Sequence, residues 1–333
     1  MHRTVLILGA RGRFGWAAAQ AFAAAGWRVV AQVRPGRAGR QTPRVEWLGV
    51  DPTDVPELLR AVPRAAVVVH ALNPPYVEAA WRTQAAAFLT AAIRISQALG
   101  ARLMMPGNVY NFGIGMPPEL SEDTPQCAHT PMGRVRVALE AQLAASGVPA
   151  VVVRAGDFFG SGQGSWFDRM LVRDLRRGRV SWPSESGTAT PWAYLPDLAR
   201  TFVELAQREQ DLPRFEVLHF AGHQLAREQW REVLTGVARE QAWLAPGDRL
   251  SERSLPWGLL RAVAPVSPPL RALTRMHYLH QRPHALVNAR LVDRLGAEPH
   301  TPLRLAVRHA LADLGWLKET PERLSASASR VSA

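Results

Sequence analysis

Cysteine is almost absent from the sequence, since Cys127 is the only one in 333 residues. A single thiol cannot form an intramolecular disulfide, so a secreted disulfide scaffold is excluded and a reducing compartment is expected. Long apolar runs are absent as well. The run at residues 5–8 is far shorter than the core of a signal peptide, and no stretch approaches the roughly 20 residues of a membrane span. These absences predict a cytoplasmic protein with no membrane partner.

Lysine is as rare as cysteine. Lys318 is the only one, so 39 of the 40 basic residues are arginines, and with 28 acidic residues the formal net charge is +12. The densest arginine clusters, at 34–44 and 169–179, lack the interleaved aromatic residues of a surface that binds single-stranded nucleic acid. We therefore expect solvated faces or an anionic small ligand and no nucleic-acid partner. Nucleic-acid binding is kept only as a third interpretation.

The order of predicted elements indicates the fold class. Hydrophobic residues make up 47% of the chain, enough for a substantial core. The predicted strands are 4–8, 27–33, 45–50, 65–70, 102–105, 150–154 and 216–220, and the predicted helices are 16–25, 55–61, 79–99, 135–145, 166–177 and 195–207. Parallel strands need crossovers of a dozen or more residues, so this alternation predicts an α/β fold with a doubly wound parallel sheet. From residue 226 onward the pattern is mostly helical.

A glycine-rich loop separates the first predicted strand from the first predicted helix. Gly9, Gly12 and Gly15 form a GxxGxxG pattern that also contains Phe14. In this position the first glycine permits a tight turn, the second lets a pyrophosphate approach the backbone, and the third lets the helix pack closely on the strand. The loop predicts dinucleotide binding. The alternative is a loop that only turns the chain.

The end of the second predicted strand indicates which dinucleotide binds. A carboxylate there would bind the adenosine ribose of NAD, but the sequence has Gln32, Val33 and Arg34. We expect Arg11, Arg13 and Arg34 to converge on the 2′-phosphate of NADP, so NAD is the less favoured cofactor. Alternatively, Arg34 is only a solvated turn residue.

Further motifs follow the glycine loop in a recognisable order. They are Gly49-Val50-Asp51, His70-Ala71-Leu72-Asn73, Val109-Tyr110, residues 154–160 and residues 192–197. Together these segments resemble the extended branch of the short-chain dehydrogenase/reductase superfamily, the NAD(P)-dependent epimerases and dehydratases. The resemblance implies a Rossmann sheet in which Asp51 contacts adenine. It also implies that Ala71, Leu72 and Asn73 line the cofactor.

The resemblance also implies a division into two lobes. Residues 1–160 and 191–222 would form the dinucleotide-binding Rossmann domain, and residues 161–190 and 223–318 a smaller, mostly helical substrate lobe that closes a cleft. Six tryptophans in the second half are either core residues or walls of that cleft. Residues 319–333 are rich in Ser and Ala without an apolar period, which predicts a disordered tail.

The catalytic residues of that superfamily are not present here. Its members usually carry a Ser or Thr, a Tyr and a Lys four residues after that Tyr, but none of the four tyrosines in this chain is followed by lysine at that spacing. The corresponding positions are Pro106, Met132 and Arg136. A thioether cannot exchange a proton, so acid–base chemistry at Met132 is excluded. Arg136 retains a positive charge that can hold the cofactor ribose or a phosphate.

Three other side chains are candidates for proton transfer. Tyr110 follows the fifth predicted strand and is the preferred substitute, with packing as the alternative. Asp157 and Asn108 lie at predicted strand ends that face the same cleft. The histidines show no ligand spacing, so no metal site is expected.

Two function classes remain. The first is an NADP-binding, epimerase/dehydratase-like oxidoreductase that transfers hydride on a small carbonyl, hydroxyl or sugar-like substrate. The second is a catalytically silent, redox-sensing dinucleotide-binding protein, which the missing Tyr and Lys favour and the size of the second lobe opposes. A small-molecule partner is expected in the first case. The sequence identifies neither the substrate nor the oligomeric state, and a homodimer is compatible with it.

Overall fold

The computed structural model describes residues 3–37 and 42–317. Its strands are β1 (Thr4–Leu8), β2 (Arg28–Val33), β3 (Val45–Gly49), β4 (Val67–His70), β5 (Arg102–Asn108), β6 (Glu119–Leu120), β7 (Ala150–Ala155), β8 (Asp157–Phe159), β9 (Arg179–Trp182), β10 (Thr190–Tyr194), β11 (Phe215–His219), β12 (His223–Leu225), β13 (Ser251–Ser254) and β14 (Ala285–Leu286). Seven of them form one parallel sheet in the order β3-β2-β1-β4-β5-β7-β11. The predicted doubly wound parallel sheet is confirmed. Lys318 and the tail predicted at 319–333 lie outside the described residues.

Helices connect these strands and cover both faces of the sheet. They are α1 (Arg13–Ala24), α2 (Val55–Ala61), α3 (Glu78–Leu99), α4 (Pro131–Ala145), α5 (Leu195–Gln207), α6 (Arg227–Glu240), α7 (Trp257–Val263), α8 (Pro268–Arg275), α9 (Ala289–Leu295) and α10 (Leu303–Asp313). The buried side chains of β1 alternate between the two faces of the sheet and so contribute to both cores. Val5 and Ile7 belong to the core under α1 and α5, whereas Leu6 and Leu8 belong to the core under α3 and α4.

The strand order determines where a ligand can bind. It reverses between β1 and β4, so the loops that follow these two strands diverge to opposite faces and leave a crevice at their carboxyl ends. In open parallel sheets this crevice is the usual ligand site. The glycine loop, His70 and Asn108 all lie at that edge of the sheet.

A third core defines what we call the small lobe. It joins residues 166–182, β12, α6 and α10 with Phe159, Trp192 and Tyr194 from β8 and β10, so the two lobes share these strands. Trp182, Trp192 and Trp230 are at most 3% exposed and are core residues rather than cleft walls. The helix predicted over 166–177 is wrong. A π-helical turn, Phe167–Leu171, and a 3-10 turn, Leu175–Arg177, take its place, and β9 pairs with β13, so the lobe is not purely helical.

A buried ion pair fixes α4 against the sheet. Arg154 on β7 and Glu140 on α4 are 1% and 4% exposed, with Nη2 of the arginine 2.6 Å from Oε2 of the glutamate. The Arg154 guanidinium also meets His219 Nε2 at 3.4 Å. Burial and the adjacent guanidinium lower the pKa of His219 to about 4, which keeps its imidazole neutral. Because the pair holds α4 in one position, it also sets where Met132 and Arg136 lie.

Candidate functional site

The glycine loop is held in shape by one buried amide. Gly9 has φ of +82°, and its N–H donates to Gln32 Oε1 at 2.9 Å, while Gln32 Nε2 donates to the Val50 carbonyl at 2.6 Å. Gln32 is 1% exposed and therefore joins the loop after β1 to the end of β3. The sequence showed only that a carboxylate was missing here. The supporting role of the glutamine was not predicted.

The three glycines have the geometry that a dinucleotide requires. A Cβ on Gly15 would lie 2.4 Å from the Gly9 carbonyl oxygen, and one on Gly9 would lie 3.0 Å from the Leu72 amide nitrogen, so both positions exclude a side chain. A Cβ on Gly12 would meet only the carbonyl oxygens of Gly9 and Ala71, at 3.3 and 3.8 Å. Gly12 is exposed and begins α1 without a capping side chain. The free N–H groups at this helix start fit a pyrophosphate, and a bulkier residue at Gly12 would fill its place.

The three arginines expected at the 2′-phosphate do not act as one group. Arg11 and Arg34 are exposed. Arg13 instead donates from Nη1 to the Phe158 carbonyl at 3.4 Å, because it is the first residue of α1 and its side chain extends toward β8. The expectation that Arg13 converges with Arg34 is therefore wrong. Asp51 is exposed, and its carboxylate accepts hydrogen bonds from the Thr53 N–H and hydroxyl, which lower the pKa of Asp51.

Arg136 and Asn73, which are both predicted to contact the cofactor, are hydrogen-bonded to each other. Nη2 of Arg136 lies 3.3 Å from Asn73 Oδ1, and the guanidinium carbon lies 4.9 Å from the centre of the Trp81 ring. Burial lowers the pKa of Arg136, and its Nε has no hydrogen-bond partner among the described residues. His70 is neutral beside it, since burial and then the Arg136 charge lower the His70 pKa to about 3. The Arg136 Nε–H is therefore available to hydrogen-bond a ligand at this end of the crevice.

Met132 and Pro106, the predicted counterparts of the superfamily's Tyr and Ser or Thr, lie on α4 and β5. Met132 lies in the first turn of α4, is 1% exposed, and packs with Trp81, Ala272 and Tyr110. The thioether thus fills a closed apolar contact and presents no group that exchanges a proton.

Three of the four tyrosines of the chain lie close together. Tyr76 and Tyr110 pack against the cluster that contains Met132 and also against the cluster that contains Tyr278. Burial, and next the Asp157 charge, raise the pKa of Tyr110 to about 12. Asn108 accepts a hydrogen bond from the Tyr110 N–H at 3.1 Å, so it holds the turn that carries the tyrosine. Tyr278 is 3% exposed, and its hydroxyl has no partner within the described residues.

Asp157 has a pKa close to neutrality. Burial raises its pKa to about 7, and the Arg13 guanidinium acts against that rise. Its Oδ2 lies 3.9 Å from His280 Nδ1. The His280 ring is 2% exposed and packs edge-on against Trp166, and burial lowers its pKa to about 3. A carboxyl group with this pKa changes protonation at neutral pH.

Tyr76, Tyr278 and His280 were not identified from the sequence. Tyr76 lies in the loop after β4, while Tyr278 and His280 belong to a 3-10 turn, His277–His280, between α8 and β14. No local motif marks either segment. Only the long-range packing of residues 276–280 against Tyr110 and Asp157 reveals their place, so no pattern in one sequence could have indicated it.

The described parts of the chain also bear on metal binding and on membrane spanning. No group of three or more His, Cys, Asp or Glu side chains there could hold a metal ion. None of the helices between residues 3 and 317 that the structure describes is long and apolar enough to span a membrane. Cys127 is free and exposed.

Family comparison now adds to this geometry. The model of the family described as RmlD substrate binding domain matches residues 3–241, which is more than half of the chain. The chain belongs to this family. A search of curated protein sequences found no significant match. The match ends before residues 276–280, so Tyr278 and His280 lie outside it.

Solved structures share the fold at low sequence identity. A UDP-galactose 4-epimerase is 15% identical with a TM-score of 0.70, covering 94% of this chain and 98% of the other. The Bordetella bronchiseptica enzyme WbmH, solved with NAD+, is 19% identical with a TM-score of 0.68 and the same coverages. A UDP-glucose 4-epimerase from Thermotoga maritima, solved with UDP-glucose, is 14% identical with a TM-score of 0.69, covering 93% and 98%.

These comparisons confirm the resemblance to NAD(P)-dependent epimerases and dehydratases of the extended short-chain dehydrogenase/reductase type. The family match supports an enzyme, and the WbmH structure contains NAD+.

Proposed function

We propose that the protein is an NADP-dependent oxidoreductase or epimerase/dehydratase that acts on a hydroxyl or carbonyl group of a sugar-like, nucleotide-linked substrate. The observation that carries this proposal is Asp157, a carboxyl group with a pKa of about 7 at the crevice. It supplies the proton-transfer capacity that Met132 lacks. Structures of the same fold contain NAD or UDP-glucose, which supports the cofactor and substrate classes.

In this proposal, different residues bind the cofactor and transfer the proton. The glycine loop and the start of α1 would hold the pyrophosphate, while Arg136 and Asn73 would hold the nicotinamide ribose. A bound nicotinamide dinucleotide supplies hydride acceptance or donation. When a substrate hydroxyl is oxidised, the Asp157 carboxylate accepts the hydroxyl proton, and in the reverse direction the protonated acid returns it to the carbonyl oxygen.

Tyr110 has a different role in this proposal. Its pKa of about 12 keeps the phenol protonated, so it donates a hydrogen bond to substrate oxygen rather than accepting a proton. Asn108 is a positioning residue, because it acts only through the turn that carries Tyr110.

We propose NADP over NAD on the basis of the second strand. Arg34 is exposed directly after β2, and Gln32 is occupied by the glycine loop and β3, so no carboxylate at this strand end opposes a phosphate. We also propose the division predicted above, with the dinucleotide domain at 1–160 and 191–222 and the substrate lobe at 161–190 and 223–318.

The catalytically silent sensor is the second candidate function. The closed packing of Met132 favours it, because the family's acid–base position is filled with apolar contacts. Against it stands the neutral-range carboxyl of Asp157, since a site that only senses dinucleotide has no need of a proton donor.

The deciding experiment compares turnover and binding in one set of proteins. Oxidation, reduction and epimerisation are screened with UDP-sugars and simple carbonyl compounds, and NADP binding is measured by tryptophan fluorescence. For the oxidation direction we expect a rate that rises with pH through about 7, and Asp157→Asn should lower it by about 10²–10⁴ with NADP affinity unchanged. NADP binding without any turnover by the wild type would establish the silent sensor instead.

A further inference from the structure

Two arginines from different lobes flank the same exposed glycine. Gly164 lies in the loop before the π-helical turn, and a Cβ on it would lie 3.9 Å from Arg13 Nε and 3.8 Å from Arg169 Nη2. Arg13 begins α1 beside the glycine loop, whereas Arg169 belongs to the small lobe. The two guanidinium groups therefore face one point across the boundary between the lobes.

The positive charge at this point is not balanced by a direct partner. Among residues 3–37 and 42–317, no carboxylate oxygen lies within 4.0 Å of the guanidinium of Arg13 or Arg169. Asp168 lies close by, but its oxygens accept hydrogen bonds from the Gly164 N–H at 2.8 Å and the Ser165 N–H at 2.6 Å. Its carboxylate holds the loop backbone, and its charge offsets part of the charge of Arg13 without a direct contact.

The buried position of Arg13 disfavours its charged form. Burial lowers the pKa of Arg13 most, the Asp168 charge raises it, the Arg169 charge lowers it, and the Asp157 charge raises it again. Bringing two guanidinium groups together while desolvating one is unfavourable unless an anion sits between them. Oxyanions such as phosphate match the planar donor array of arginine.

The loop leaves room for such a ligand. Gly164 and Gln163 are exposed, and a cavity of about 490 Å³ opens beside Gln163, lined by Arg169 and Arg173 and by the acidic Asp168. Gly164 has φ of +116°, where a residue with a side chain would be strained, so the space beside its Cα stays free. Arg169 therefore borders this cavity on one side and faces Arg13 across Gly164 on the other.

We propose that Arg13 and Arg169 together bind one phosphate group where the small lobe meets the glycine loop. The phosphate belongs either to the dinucleotide or to a nucleotide-linked substrate. The proposal rests on the proposed function only for this choice of source, because phosphate recognition itself follows from the two arginines.

Isothermal titration calorimetry with three probes tests the site. Inorganic pyrophosphate reports anion binding without a nucleoside, NADP reports the cofactor, and UDP-glucose reports the substrate. Loss of one charge-assisted contact should weaken binding about tenfold in Arg169→Gln and in Arg13→Gln, with Arg169→Lys retaining part of the affinity. Arg176→Gln removes an exposed arginine of the same segment as a matched control and should change nothing.

The pattern across probes identifies the phosphate. Weaker pyrophosphate and NADP binding assigns the site to the cofactor, and weaker pyrophosphate and UDP-glucose binding assigns it to the substrate. Equal affinities for all probes in wild type and Arg169→Gln, or an equal loss in Arg176→Gln, would overturn the arginine site while leaving the proposed enzyme intact. Wild-type protein that binds pyrophosphate through these arginines but does not bind NADP would overturn the proposed function and leave the site standing.

Discussion

Asp157 Oδ2 lies 3.9 Å from His280 Nδ1, yet the two groups never form an ion pair. The pKa of Asp157 is raised to about 7 and that of His280 is lowered to about 3, both by burial. Asp157 is therefore still protonated when His280 loses its charge, and His280 is neutral when Asp157 ionises. The closest charge acting on the carboxylate comes from Arg13, so that arginine influences when Asp157 gives up its proton.

Tyr110→Phe tests whether the phenol transfers protons or only donates a hydrogen bond. With a pKa of about 12 the hydroxyl does not ionise near neutrality, so the variant should keep the change in rate near pH 7 and lose no more than about tenfold in turnover. Stopped-flow rates between pH 5 and 9 check this. Tyr278→Phe serves as the control from the same cluster. A loss of about 10³ with disappearance of the pH dependence would move the acid–base role to Tyr110.

Asp157→Asn should also change the stability of the protein in a pH-dependent way. A carboxyl group whose pKa is higher in the folded than in the unfolded state destabilises the fold above that pKa and costs nothing below the unfolded value near 3.8. The variant should therefore be more stable than wild type at pH 8, by at most about 4 kcal/mol, and equal to it near pH 3.5.

Chemical denaturation at several pH values measures this difference. Asp293→Asn changes an exposed aspartate on α9 and should show no such dependence. An Asp157→Asn advantage that is constant with pH would mean that the carboxyl group does not titrate in the folded protein as described.

Gly12→Val should abolish dinucleotide binding without unfolding the protein. The Cβ of the new residue has room beside the Gly9 and Ala71 carbonyls, but its methyl groups would occupy the space above the start of α1. Fluorescence titration with NADP and circular dichroism measure the two properties. Gly115→Val, at an exposed loop glycine with no atom within 4 Å of its Cβ position, is the matched control. Unchanged NADP affinity in Gly12→Val would refute the assignment of the loop.

Arg34→Ala should weaken NADP binding about tenfold and leave NAD binding unchanged, because only NADP carries a 2′-phosphate for this exposed guanidinium. Parallel titrations with both cofactors give the ratio of affinities. Arg94→Ala removes an exposed arginine on α3 for comparison. Equal effects on NADP and NAD would show that Arg34 does not read the phosphate.

The sheet could be predicted from the sequence because its signals are local. The strands are short apolar runs such as Thr4–Leu8, helices such as Arg13–Ala24 follow several of them, and the glycine loop marks the first change from strand to helix. The replacement of the superfamily's Tyr and Lys by Met132 and Arg136 could also be predicted, because it depends only on spacing along one helix.

The remainder of the site depends on contacts between distant segments. Nothing around His280 in the sequence indicates that it packs against Asp157, and the direction of the Arg13 side chain follows from the position of β8. The apolar spacing of Phe167–Leu171 resembles that of an ordinary α-helix, so the sequence predicts one there in place of the π-helical turn. Apolar spacing does not indicate the hydrogen bonds that Asp168 accepts from the preceding loop.

The 3-10 turn His277–His280 and the glycine loop lie far apart along the chain. The glycine loop lies within the family-matched region, and the turn that supplies Tyr278 and His280 lies beyond it. Substitutions in this buried turn would therefore change the packing around Tyr110 and Asp157 while every residue of the glycine loop stays the same. The two segments can vary independently of each other in sequence.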